Sequence, residues 1–179
     1  LLDEERLVMT SWAAGNSRRV AGDTTVSNFS MNSTKWSTSC GALTRGLKPQ
    51  AYSALGGQCY PWHPTVAAPT FGVLPVGSRY EDMGEQGGGT SACAPLVTGA
   101  LALMMARHPG RPFSEYRAAL RAGASNMALG LPLPYSPATG AGLLQVDASI
   151  RAVPSAGLHP SSLTEALTPS SISRLGDEV

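Results

Sequence analysis

Apolar residues cluster early in the chain in a way that predicts a buried parallel strand. Residues 7–14 are apolar or small, with only Thr10 and Ser11 interrupting the run. The run ends at Gly15-Asn16-Ser17, a cluster that breaks a strand and opens a loop. Because open α/β sheets bind their ligands at the carboxyl ends of their strands, we expect this loop to face a ligand.

The longest apolar pattern follows three consecutive glycines at positions 87–89. It begins at Thr90 and Ser91, continues through Met105 as an almost unbroken run of Ala, Leu, Val and Met, and ends at Pro109-Gly110. A helix that is apolar on every side is predicted to be buried. A second, amphipathic helix is predicted over residues 112–122 and is expected to pack at the surface, with a charged side formed by Glu115, Arg117 and Arg121.

The remaining segments give weaker patterns. Residues 1–7, where charged residues stand between leucines, suit the exposed last turns of a helix. Residues 18–76 indicate short strands and long loops, and residues 140–150 a short strand that runs into a short helix. The Pro- and Ser-rich residues 153–179 are typical of a linker or disordered tail, so we divide the chain into a packed portion, 1–152, and a tail, 153–179.

Composition narrows the function classes. The 179 residues suffice for one domain or part of one. Only 14% of them are charged and the net charge is +1, which argues against a basic nucleic-acid binder and a long charged coiled coil. Apolar runs such as residues 101–106 are much shorter than the roughly 18 to 20 residues that cross a bilayer, so we expect no membrane span.

The cysteines and the chain start bear on where the protein works. Cys40, Cys59 and Cys93 make an odd count, which implies no complete disulfide framework and leaves a Cys40–Cys59 bridge open. Low charge and many Ser, Thr and Gly residues fit a secreted protein loosely. The sequence opens without an initiator Met or a signal-peptide pattern, so we expect a fragment or an excised domain.

Chemistry is indicated where Gly89-Thr90-Ser91 opens the apolar helix. A serine at this position lies beside unpaired backbone N–H groups and the positive end of the helix, which together stabilise a negative oxygen formed next to it. The plain alternative is that Thr90 or Ser91 only caps the helix.

The segment GGTSACAPLVTGALALMMARHP, residues 88–109, resembles the nucleophile segment of the subtilisin-like serine proteases, the subtilases. Three further segments resemble the family in the family's order. Ala13-Ala14-Gly15-Asn16-Ser17 is similar to the strand end that carries the oxyanion asparagine. The other two are residues 46–56, similar to the stretch before the serine, and Gly140-Ala141-Gly142-Leu143-Leu144, similar to the closing segment.

The resemblance implies an α/β fold with a largely parallel sheet flanked by helices, and a serine endopeptidase acting on peptide or protein substrates. Ser91 is then the nucleophile, Asn16 and the Ser91 N–H hold the oxyanion, and Ala14 and Gly15 line the first specificity pocket together with Ala13. The family's structural calcium is compatible with this, but no metal ligand is assignable, and no other cofactor is implied. The oligomeric state is left open.

The family's catalytic Asp and His precede the asparagine in chain order, and this sequence begins about fifteen residues before Asn16. The histidines present, His63, His108 and His159, stand in no matching context. We therefore expect the two residues to lie upstream, and these 179 residues to be inactive alone.

Departures from the family pattern keep two alternatives open. Gln50, Leu55, Ala92 and Leu96 replace usual residues, and the segment after Ser17 is shortened. One alternative is a non-catalytic domain that kept the fold. The other is the acid-acting sedolisin group, which shares Gly-Thr-Ser-Ala but has an aspartate where this chain has Asn16.

Overall fold

The computed structural model describes residues 9–16, 37–56, 63–70, 88–131 and 134–155. Among the described residues, three strands come first along the chain and three helices follow. The strands are β1 (Ser11–Ala13), β2 (Thr38–Leu43) and β3 (Val66–Pro69), and the helices are α1 (Ala94–Arg107), α2 (Phe113–Gly123) and α3 (Val146–Ala152). Two single 3₁₀ turns, Thr90–Ala92 and Met127–Leu129, precede α1 and follow α2.

The three strands form one parallel sheet in the order β1-β2-β3. Ser11 pairs with Thr38 and Cys40 with Val66, so all three carboxyl ends lie at one edge. Every residue of the central strand β2 is buried, whereas β1, at the outer position, is only half-buried. The α/β fold with a parallel sheet is thus confirmed, although the first strand is shorter and more exposed than its apolar run predicts.

The hydrophobic core joins the sheet to the three helices. It contains residues from β2 and β3 and from the inner face of α1: Cys40, Ala42, Val66, Ala68, Val97, Ala100, Leu101 and Met104. Helices α2 and α3 pack closely, because Gly123 has no side chain and the backbone of Ser149 occupies the space that a Cβ would take. The buried face of α1 shares this core with β2 and β3 and so packs against the sheet.

Two expectations about helix burial are wrong. In α1 only one face is buried, and on the opposite face Leu96 and Leu103 are exposed to 39% and 55%. In α2 the charged residues do not form one exposed side: Glu115 and Arg117, two positions apart, lie on opposite sides of the helix, and both are buried. Periodicity shows which side of a helix is apolar or charged, but the neighbouring elements decide what covers each side.

The 18 residues Thr90–Arg107 have a mean hydropathy of 1.2, which makes them long and apolar enough to cross a membrane by length and composition alone. The core helix of a soluble domain passes the same test. The expected absence of a membrane span therefore stays a prediction.

The closing segment lies beside the sheet without forming a full strand. Leu143 makes single bridges to Ala67 and Ser125. Gly140, at φ 60°, approaches the backbone of Pro64 and Thr65 so closely that a side chain would clash. The strand predicted here is thus reduced to isolated bridges, whereas the helix predicted after it is present as α3. The helical turns predicted over residues 1–7 lie outside the described residues, as does the tail beyond residue 155.

The loop that carries Tyr135 packs over the start of β3. The Tyr135 hydroxyl donates a hydrogen bond of 2.8 Å to the His63 carbonyl, and its burial raises the pKa of Tyr135 to about 12, with the Arg121 cation opposing that rise. The folded protein therefore holds this proton to a higher pH than the unfolded chain, whose tyrosines titrate near 10.0.

We predict that the free energy of unfolding falls as the pH rises from about 10 to about 12, because deprotonation of Tyr135 then favours the unfolded chain. Tyr135→Phe removes this contribution, so its unfolding free energy should fall less steeply over the same interval. Urea unfolding at closely spaced pH values measures the difference. Equal slopes for the two proteins would contradict the prediction.

Candidate active site

The residues predicted to carry chemistry meet at the carboxyl edge of the sheet. Asn16 follows β1, Thr70 follows β3, and the turn Thr90–Ala92 lies between the sheet and α1. The N–H of Ala14 donates to the Cys40 carbonyl at 3.0 Å and so extends the pairing of β1 with β2 by one residue. The parallel strands therefore deliver their loops to one place, as the sequence predicts.

Thr90 is the central contact of the site. Its backbone N–H and its hydroxyl both donate to Asn16 Oδ1, at 2.9 and 2.8 Å, and its Oγ1 accepts a bond of 3.1 Å from the Gly15 N–H. Thr90 is fully buried. A backbone N–H can only donate, so these bonds fix the oxygen of the Asn16 carboxamide towards Thr90 and leave Nδ2 as the end that donates elsewhere.

Gly89 allows the two segments to come this close. Its φ of 65° lies in the left-handed region that favours glycine, and a Cβ there would lie 2.7 Å from Asn16 Nδ2. The Thr70 hydroxyl donates to the Gly89 carbonyl at 2.9 Å. A glycine at this position is therefore required both by the backbone conformation and by the neighbouring amide.

Ser91 lies in the exposed part of the turn that precedes α1, and Asn16 is exposed as well. The N–H groups of Ala92 and Cys93 bond to the carbonyls of Gly89 and Thr90, at 3.2 and 3.1 Å. Within the described part of the chain, no acceptor is assigned to the Ser91 N–H. The exposed turn thus carries the Ser91 hydroxyl and N–H at the positive end of a 14-residue helix.

The capping alternative for Thr90 and Ser91 is not what the structure shows. Neither the 3₁₀ turn nor α1 has a side-chain hydrogen bond at its N-cap, and the Thr90 hydroxyl bonds to Asn16 instead.

Two buried thiols lie behind the nucleophile segment. Cys93 donates to the Ala68 carbonyl at 3.2 Å and is hydrogen-bonded to Cys40. Burial raises the pKa of Cys40 well above its ordinary value, whereas the bond from Cys40 lowers the pKa of Cys93. Both are free thiols, so Cys40 forms no bridge here; Cys59 lies outside the described residues.

The described histidines lie away from Ser91. His63 precedes β3, at the edge of the sheet opposite the site, where its Nδ1 is hydrogen-bonded to Ser39 Oγ. His108 follows the last turn of α1, which at ~1.5 Å per residue puts it about 20 Å from the helix start. His159 lies outside the described residues.

Ala14 and Gly15, predicted to line a substrate pocket, flank Asn16 at the end of β1. Ala14 is buried, and the Gly15 carbonyl accepts a bond of 2.9 Å from the Ala54 N–H. Ala54 belongs to one of the segments whose sequence resembles the stretch before the serine.

The sequence analysis did not identify the hydrogen bonds that Thr90 and Thr70 make in the site. The threonine of the Gly-Thr-Ser motif was the feature that could have pointed to Thr90. Among the described residues no cluster of three metal-ligating side chains occurs.

Comparison with solved structures finds the same fold in known proteases. The prenylagaramide maturation protease PagA shares 22% identity at a TM-score of 0.61, over 86% of this chain and 54% of its own. Fervidolysin from Fervidobacterium pennivorans, a keratinolytic enzyme related to subtilisin, shares 21% identity at a TM-score of 0.59, over 83% of this chain and 23% of its own. MycP1 from Mycobacterium smegmatis shares 18% identity at a TM-score of 0.63, over 80% of this chain and 41% of its own.

This chain therefore spans about half of these structures or less. A sequence search among curated proteins finds no match. The model of the subtilase family, Peptidase_S8, matches residues 3–148, which include the strand end with Asn16, the Gly-Thr-Ser turn and the closing segment. The chain belongs to the subtilase family.

Proposed function

We propose that this chain forms part of a serine endopeptidase that cleaves peptide bonds through an acyl-enzyme on Ser91. The observation that supports the proposal best is the carboxamide of Asn16, which Thr90 holds by two hydrogen bonds beside the exposed turn of Ser91. These bonds leave Nδ2 as the donating end of an exposed carboxamide.

In the proposed reaction, Ser91 Oγ attacks the carbonyl carbon of the scissile peptide bond, and the carbonyl oxygen becomes an oxyanion. The Ser91 N–H and Asn16 Nδ2 donate to that oxygen, and the positive end of α1 adds to its stabilisation. Collapse of the tetrahedral intermediate breaks the C–N bond, the amine leaves with a proton, and water then hydrolyses the ester.

The proton of Ser91 requires a base, because a serine hydroxyl at its ordinary pKa is a weak nucleophile. Subtilases use a His oriented by an Asp, and the described histidines lie away from Ser91. We propose that the Asp and His come from protein outside these 179 residues, and that the chain by itself is inactive. The coverage of 54% of PagA is consistent with this division.

The substrate contacts proposed for Ala14 and Gly15 follow from their place next to Asn16. Because the N–H groups of both residues and the Gly15 carbonyl already bond within the chain, we propose that they form part of the pocket wall and do not hydrogen-bond the peptide. Peptide or protein substrates are expected, without a preferred side chain.

Ser91→Ala should abolish labelling by a fluorophosphonate, because the phosphonyl group transfers to an activated serine oxygen. The experiment uses the full-length protein from the cells that make it, with labelling followed by mass spectrometry. Ser114→Ala, at an exposed serine of α2, is the matched control and should label like the wild type. A folded wild-type protein that is not labelled would support a non-catalytic domain instead.

Asn16→Leu should lower kcat by about 10²- to 10³-fold with little change in KM, a magnitude carried over from subtilisin, where it was measured. Asn16→Asp is the matched variant, because its carboxylate keeps the bonds from Thr90 while losing the Nδ2 donor. Both variants should lose activity, and Asn16→Asp should keep the wild-type melting temperature. Full activity in Asn16→Asp would exclude Asn16 as an oxyanion donor.

Thr90→Val should lower kcat, because the Asn16 carboxamide then loses one of its two anchoring donors and the Gly15 N–H loses its acceptor. We expect a stability loss of about 1 to 3 kcal/mol, since a buried donor is left unpaired. Thr90→Ser keeps the hydroxyl and should restore kcat. Thr98→Val, at an exposed threonine of α1, is the control and should change neither quantity. Equal kcat in Thr90→Val and Thr90→Ser would show that the hydroxyl does not position Asn16.

A further inference from the structure

Two cysteines lie directly behind the turn that carries Ser91. Cys93 is the second residue after the serine and stands immediately before α1, and Cys40 lies within the central strand β2. Both are free thiols, and both side chains are fully buried in the core between the sheet and α1. The proposed reaction uses neither of them.

The two thiols are in contact with each other. Cys93 Sγ donates to the Ala68 carbonyl at 3.2 Å, and the Cys40 thiol is hydrogen-bonded to the sulfur of Cys93. Ala68 lies two positions beyond Val66, the residue of β3 that pairs with Cys40. Cys93 thus reaches from the start of α1 to the middle of the sheet, where it meets Cys40.

The contacts make one thiol of the pair more acidic than the other. The hydrogen bond from Cys40 lowers the pKa of Cys93, and burial opposes this change. Thr70 and the Leu43 backbone lower it further through hydrogen bonds. Burial raises the pKa of Cys40 well above its ordinary value. Because the thiolate is the nucleophilic form, Cys93 is the sulfur that reacts first with an oxidant, and Cys40 is the thiol placed to react with it afterwards.

We propose that Cys40 and Cys93 form a redox pair, which a hydroperoxide converts into a disulfide that displaces the Ser91 turn and suppresses its reaction. The pairing stands on the contacts between the two thiols, whereas its effect on Ser91 rests on the proposed function.

The oxidation takes place in two steps. The Cys93 thiolate attacks one oxygen of hydrogen peroxide: an S–O bond forms, the O–O bond breaks, and hydroxide leaves and takes up the proton that the thiol released. The Cys40 thiol then attacks the Cys93 sulfur, so the S–S bond forms, the S–O bond breaks, and the oxygen leaves as water with the Cys40 proton. In total the two thiols lose two electrons and two protons, and one peroxide becomes two waters. Because both thiols are buried, the oxidant must be small, and hydrogen peroxide is little larger than water.

The disulfide acts on the turn through Cys93. An oxidised sulfur carries no hydrogen, so the bond from Cys93 to the Ala68 carbonyl is lost. The Cys93 N–H is bonded to the Thr90 carbonyl at 3.1 Å, and Thr90 in turn holds the Asn16 carboxamide. A displacement of Cys93 towards β2 is therefore transmitted to both proposed oxyanion donors, and a misplacement of about 1 Å costs about 10²-fold in rate.

Disulfide mapping after peroxide treatment tests the pairing without reference to activity. The full-length protein from the cells that make it is reduced, freed of reductant and treated with hydrogen peroxide. Remaining thiols are blocked with N-ethylmaleimide in denaturant, and the protein is digested without reductant for mass spectrometry. The expected product joins a peptide with Cys40 to a peptide with Cys93. A bridge from either residue to Cys59, or both residues left unbridged, would overturn the pairing.

Fluorophosphonate labelling of Ser91 measures the effect on the site. Peroxide should lower the labelling rate at least about tenfold, and dithiothreitol should restore it. A mapped Cys40–Cys93 disulfide with an unchanged labelling rate would show that the pair does not control Ser91. A loss that dithiothreitol leaves in place would show that the suppression comes from other oxidised residues.

Three alanine variants assign the effect to each cysteine. Cys93→Ala removes the nucleophilic thiol, and Cys40→Ala removes both its partner and the hydrogen bond that lowers its pKa. Both variants should therefore keep their labelling rate under the peroxide treatment that suppresses the wild type. Cys59→Ala is the matched control and should respond like the wild type. Melting temperatures of the reduced variants verify that they are folded, and reversible suppression retained in Cys93→Ala would overturn the proposal.

The redox pair and the proposed function fail in different ways. A Cys40–Cys93 disulfide in a protein that the fluorophosphonate does not label even when reduced supports the pairing and contradicts catalysis by Ser91. Labelling of the reduced protein that does not respond to peroxide supports catalysis and contradicts the redox pair.

Discussion

The contact on which the site depends is the pair of hydrogen bonds from Thr90 to Asn16 Oδ1. It joins the end of β1 to the turn before α1, two segments that are more than seventy residues apart in sequence. A buried hydroxyl that donates to Asn16 and accepts from Gly15 has no alternative partner in water, so breaking one bond leaves a polar group unsatisfied. The orientation of the Asn16 amide is consequently set by the fold before any substrate arrives.

The parallel sheet makes that contact geometrically feasible. Because β1, β2 and β3 run in the same direction, Asn16 and Thr70 both emerge at the edge where α1 begins. Thr70 holds the Gly89 carbonyl, and Gly89 in turn lacks the Cβ that would displace the Asn16 amide. Packing and hydrogen bonding thus constrain the same few atoms, and each restraint would be weaker without the other.

From the sequence one could predict those features that a short continuous run of residues defines. Asn16 and Ser91 were predicted because each stands in a short run of characteristic residues that needs no distant partner to be recognised. The bonding of Thr90 could not be predicted, since its partner lies 74 positions away. Likewise the charged residues of α2 suggested an exposed side, whereas Glu115 and Arg117 lie on opposite sides of the helix and are both buried, which depends on neighbouring elements distant in sequence.

The proposed reaction needs two chemical functions, oxyanion binding and proton transfer from Ser91, which different parts of a protein can supply. The proposed oxyanion binding uses donors of Asn16 and Ser91, whose segments are joined by the hydrogen bonds from Thr90 to Asn16. The proposed activation of Ser91 requires a proton acceptor in addition, and the described histidines lie away from Ser91. Stabilisation of the oxyanion acts in the transition state, whereas the base acts on the nucleophile. The described residues therefore hold the proposed oxyanion donors by their own contacts, whereas the proposed reaction also needs a base that these residues do not place beside Ser91.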